Sequence, residues 1–129
     1  MNNILDVKGL CKRYDGFALQ DVSLAIPRGY IMGFIGPNGA GKTTTIKSIL
    51  NINSADAGEI HVFGKALSKE ETDIKEDNGI VMDYPFYVDE WTLNDVERAL
   101  SPFYRYWDSA KYASCLNTFG MDPKKQVKD

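Results

Sequence analysis

Nine residues, Gly36-Pro37-Asn38-Gly39-Ala40-Gly41-Lys42-Thr43-Thr44, bring three glycines, one ammonium and two hydroxyls into a single short stretch. That is what an anion cradle needs. A polyphosphate takes many donors at once, and a Gly-rich turn can aim successive backbone N–H groups into a concave nest. The spacing fits G-x-x-x-x-G-K-[ST], a phosphate-binding loop. Gly36, Gly39 and Gly41 are read as positions where φ > 0 and the missing Cβ let the backbone approach phosphate. Lys42 offers a point charge to the β- and γ-phosphates, and the Thr43 hydroxyl a ligand for Mg²⁺. Pro37, Asn38, Ala40 and Thr44 complete the loop and the helix entry.

The loop needs a strand before it and a helix after it. Tyr30-Ile31-Met32-Gly33-Phe34-Ile35 is a short apolar run that predicts a buried strand. Thr45 to Leu50 predicts a helix whose core face is Ile46, Ile49 and Leu50. The helix would point its partial positive charge at the same anion. Upstream, Ile4–Leu10 predicts a first strand, Tyr14-Asp15-Gly16 a turn, and Ala18–Ile26 an antiparallel strand closed by Pro27-Arg28-Gly29. Downstream, the charged stretch 65–77 predicts a solvated helix or loop, and Asn78–Met82 another buried strand. Thr92 and Asp95 have capping-box spacing. A second helix is expected from Asp108 or Ser109 to Phe119, stopped by Gly120.

Bulk properties narrow the class. A chain of 129 residues with net charge −3 supports one modest core and gives no support for a general nucleic-acid binder. Cys11 and Cys115 stand alone, which argues against zinc and for a reducing compartment. No apolar run approaches the ~20 residues of a membrane span. The single histidine, His61, falls in a predicted strand and reads as structural.

Taken in order, Tyr14-Asp15-Gly16, Leu19-x-Asp21-Val22-Ser23-Leu24, Gly29 and Gly33-Phe34-Ile35-Gly36-Pro37-Asn38-Gly39-Ala40-Gly41-Lys42-Thr43-Thr44 resemble the start of an ABC transporter ATPase domain, and Asp56-Ala57-Gly58-Glu59-Ile60 continues the likeness. The resemblance implies an α/β fold: a P-loop NTPase core of ABC type with an N-terminal antiparallel β subdomain over residues 1–91 and the beginning of a helical subdomain over 92–129. It implies ATP and Mg²⁺ as cofactors. Tyr14 stands where the family has the aromatic that stacks on adenine; the other reading is a surface turn tyrosine. Asp83 stands at the position of the family's Q-loop glutamine, within Asp83-Tyr84-Pro85-Phe86-Tyr87. A carboxylate there can ligate Mg²⁺ at altered geometry, or only cap the loop.

The family's signature motif, catalytic Glu and switch His would lie beyond Asp129, so the resemblance implies the N-terminal part of an ATPase subunit, without turnover alone. It further implies a dimer of ATPase subunits, a membrane permease partner, no nucleic acid, and a cytoplasmic position on the inner face of the membrane. Phe103–Trp107 followed by Asp108 looks like the bacterial export-type branch; as residues they read as local core or as a docking face. The alternatives are a non-transport ABC ATPase acting on DNA or the ribosome, and a chain that only binds nucleotide.

Overall fold

In the computed structural model, residues 2–83 and 87–129 are described. The chain forms two compact units, Met1–Asn78 and Gly79–Asp129. In the first, β1 (Asn3–Tyr14) and β2 (Phe17–Pro27) form an antiparallel hairpin in which Tyr14 faces Phe17 across the Asp15-Gly16 loop. β3 (Ala57–Val62) pairs with the other edge of β1, and β4 (Lys65–Ala66) pairs with β3, giving the order β2-β1-β3-β4.

Val7 and Leu10 are three residues apart, yet both are buried. Strict alternation would put them on opposite faces. One extra β1 residue is accommodated between them against β2, where Val7 pairs with Leu24 and Leu10 with Val22. Such a bulge returns the strand to the same face. Val7, Leu10, Leu19, Ile60 and Val62 of the sheet then share a core with Leu67 and Ile74 of α2 (Leu67–Asp77), with Phe17 and Ile49 packed against it. The charged 65–77 stretch is therefore the short strand β4 followed by α2, a helix kinked at Glu70 with one apolar edge.

Three expectations are corrected. Tyr30–Ile35 is not a buried strand: it has no ladder among the described residues, and Ile31 and Ile35 are 101% and 96% exposed. Asn78–Met82 is likewise not a strand, with Val81 fully exposed. An apolar strand is buried only when neighbours cover its faces and pair its backbone, and neither run finds such a neighbour among the described residues. The helix after the loop, α1 (Lys42–Ile49), buries Thr45 and Ser48, while Ile46 is exposed. Its buried face is set one position earlier than the apolar pattern suggests.

In the second unit, α3 (Leu93–Leu100) starts with the expected capping box: the Asp95 N–H donates to the Thr92 hydroxyl, and the Thr92 N–H donates to the Asp95 carboxylate at 3.0 Å. A 3-10 turn, Ser101–Phe103, takes up Pro102. α4 (Ser109–Thr118) is capped by Asp108, whose carboxylate accepts from the Lys111 N–H at 2.9 Å. The aromatic run divides. Trp107 packs between Tyr104 and Tyr112 and donates its indole N–H to Glu97 at 3.1 Å, whereas Phe103 and Tyr106 are exposed.

Candidate functional site

The phosphate loop is held from below by β2 and from one end by α1. The Thr45 N–H and hydroxyl both donate to the Gly41 carbonyl, each at 2.9 Å, fixing the first helical turn against the loop. The Ala40 N–H closes a turn onto the Pro37 carbonyl at 3.2 Å. The Lys42 ammonium donates to the carbonyls of Gly36 and Pro37, so it lies folded over its own loop.

Gly41 has φ of +96°, and a Cβ built there would stand 2.8 Å from Leu19 Cδ1 and 3.1 Å from Phe17 Cζ. The loop therefore rests directly on two β2 side chains. Gly39 also has positive φ, with open space around it, but Gly36 does not, which corrects the expectation of three left-handed glycines. Asn38, Gly39, Ala40, Gly41, Lys42, Thr43 and Thr44 line a cavity of about 240 Å³ with Phe17 as its apolar wall. Thr43 is exposed within this lining.

Tyr14 ends β1 and is 43% exposed. Its hydroxyl accepts from Asn53 Nδ2 at 2.8 Å, and Lys12 Nζ lies 5.6 Å from its ring centroid. Asp56 holds that lysine at 2.9 Å and accepts the Arg13 N–H at 2.7 Å. The hydrogen bond from Lys12, then that from Arg13, keeps the Asp56 carboxyl below its ordinary value. Because Tyr14 pairs with Phe17 across the hairpin, the aromatic and the phosphate cavity are joined by one β-turn.

Asp83 belongs to the second unit and is exposed; Tyr84, Pro85 and Phe86 of the same expected loop lie outside the described residues. His61 sits in β3 opposite Asp6 and Ala66. With Ser48 it lines a second cavity of about 360 Å³. Among the described residues no cluster of three or more His, Cys, Asp or Glu is placed to hold a metal ion. No helix among them is long and apolar enough to cross a membrane.

Sequence reasoning missed Phe17, Asn53 and Asp56. The Asp15-Gly16 loop, a strong hairpin signal, could have placed Phe17 opposite Tyr14. Nothing local marks Asn53, which reaches Tyr14 from 39 positions away.

A model of the ABC transporter family matches residues 19–129. An uncharacterized ABC transporter ATP-binding protein of Bacillus subtilis, YcbN, is 33% identical over 96 residues, 74% of this chain and 31% of YcbN. The energy-dependent translational throttle protein EttA of Mycobacterium tuberculosis is 47% identical over 62 residues, 47% of this chain and 11% of EttA. The solved structure of an ATP-binding subunit of an ABC transporter superposes with a TM-score of 0.75 at 30% identity, covering 89% of this chain and 48% of that one. The chain thus spans less than a third of either curated relative and under half of the solved chain.

Proposed function

The chain belongs to the ABC transporter family and has its α/β phosphate-loop fold, and from that premise we propose that these residues bind Mg-ATP as part of an ABC ATPase subunit. The observation that carries this is the cavity walled by residues 38–44 and Phe17, one β-turn from Tyr14. Its chemistry fits a polyphosphate: the loop backbone supplies N–H donors, Lys42 a positive charge, and Thr43 a hydroxyl for the metal. Bound Mg²⁺ supplies charge neutralisation at the β- and γ-phosphates. Tyr14 gives the base a flat face; a metal-ligand role for Asp83, as against a loop cap, rests on the family resemblance alone.

In a complete subunit, two copies would enclose ATP and couple its hydrolysis to a membrane permease, with the ATPase on the cytoplasmic face. The likeness to YcbN, an ABC transporter ATP-binding protein, and to the solved ATP-binding subunit supports the transporter role. A second reading, action on translation, is favoured by the EttA match. Co-purification with ribosomes rather than with a membrane fraction would select it.

Calorimetric titration of the 129-residue chain with Mg-ATP and with adenosine tests the binding step. Wild type binds Mg-ATP. Lys42→Ala weakens it about tenfold to a hundredfold, as expected for removing a charged hydrogen-bond donor, and leaves adenosine binding unchanged. Absence of Mg-ATP binding, or equal loss of both ligands, refutes the proposal.

A further inference from the structure

If Tyr14 is the platform for the base, as proposed above, its ring plane must be held before ligand arrives. A tyrosine at the end of a strand turns freely about two side-chain bonds, and a ring that must be ordered on binding costs affinity. The structure holds this ring at two points. Asn53, in the segment between α1 and β3, donates to its hydroxyl at 2.8 Å. Lys12 lies 5.6 Å from the ring centroid and is itself fixed at 2.9 Å by Asp56. Asp56 is anchored twice more through the backbone: it accepts the Arg13 N–H at 2.7 Å, and its own N–H donates to the Cys11 carbonyl at 2.9 Å.

We propose that Asn53 and the Lys12–Asp56 pair are positioning residues for the nucleobase, tethering the Tyr14 ring at its hydroxyl and occupying one of its faces so that a purine stacks on the other. None of the three residues needs to touch the nucleotide. The cation beside the ring contributes a second effect, since an ammonium near an aromatic face is attracted to it and resists rotation of the ring. A ring held in this way favours a nucleotide over a bare polyphosphate, so the two ligands are to be compared directly.

The test is calorimetric titration of the full chain with Mg-ATP and with Mg-tripolyphosphate, which carries the phosphates without base or ribose. Wild type should prefer Mg-ATP, and Tyr14→Ala should lose that preference by about tenfold or more, the scale of a base–aromatic stack. Asn53→Ala and Tyr14→Phe should each lower Mg-ATP affinity about three- to tenfold, the scale of one hydrogen bond, with tripolyphosphate unchanged. Because they cut the same tether, the double variant should lose no more than either single one. Asp56→Ala should act in the same direction by freeing Lys12.

Unchanged Mg-ATP affinity in Asn53→Ala and Tyr14→Phe overturns the inference, while the loss in Tyr14→Ala would leave the platform reading standing. Unchanged affinity in Tyr14→Ala overturns both. Equal loss of the two ligands in Asn53→Ala assigns that residue to folding and refutes a positioning role.

Discussion

Gly41 and Gly39 share a loop and a positive φ but differ in what lies beneath them, and this makes a sharp test of how the cradle is supported. An alanine at either position is strained by the left-handed backbone, about 1–2 kcal/mol. At Gly39 nothing stands within 4 Å of the new Cβ, so the cost ends there. At Gly41 the Cβ would lie 2.8 Å from Leu19 Cδ1 and 3.1 Å from Phe17 Cζ. Leu19 is 5% exposed within the core, so its side chain has little room to retreat. Overpacking of that kind adds about 1–3 kcal/mol. Gly41→Ala should therefore destabilise the first unit by roughly 2–5 kcal/mol, against about 1–2 for Gly39→Ala.

Trp91 and Trp107 both lie in the second unit, so tryptophan fluorescence does not report on this one. Urea unfolding followed by the backbone amides of Val7 and Leu10 does, because both residues are in the affected core. A second variant checks the cause. Leu19→Ala removes the nearest clashing atom, so the Gly41→Ala/Leu19→Ala pair should cost at least about 1 kcal/mol less than the sum of its parts. If Gly41→Ala and Gly39→Ala differ by no more than about 0.5 kcal/mol, the loop does not rest on β2 as described.

Thr92→Ala removes the hydroxyl that accepts the Asp95 N–H and should destabilise α3 by about 1 kcal/mol, seen as faster amide exchange in its first turn. Acid should weaken both units. The Asp56 and Asp95 carboxyls are held below their ordinary value of 3.8, Asp56 chiefly by the Lys12 hydrogen bond and Asp95 chiefly by the Thr92 hydroxyl. A depressed folded-state pKa means that the contribution is present above the ordinary value and lost as pH falls through the lower folded one. A thermal-midpoint profile should thus fall through that window, and the slope should be shallower in Asp95→Asn. An unchanged slope would show that Asp95 is not one of the groups responsible.

What the sequence determined by itself is what depends on near neighbours. The spacing of Gly36, Gly41, Lys42 and Thr43, the Tyr14-Asp15-Gly16 turn and the Thr92–Asp95 capping box are each closed by contacts within a few residues, so residue type and spacing suffice to write them down. Whether an apolar run becomes a strand is a different question. Tyr30–Ile35 and Asn78–Met82 have the composition of buried strands, but a strand needs a hydrogen-bonding neighbour, and composition carries no information about which segment supplies one. The burial of Thr45 and Ser48 in place of Ile46 also depended on how α1 is anchored through Gly41. Only the tertiary structure set Leu19 and Phe17 under Gly41 and brought Asn53 to Tyr14. Those contacts join residues far apart in the chain, and their partners are chosen by the register of β1 with β2 and β3, which no local pattern specifies.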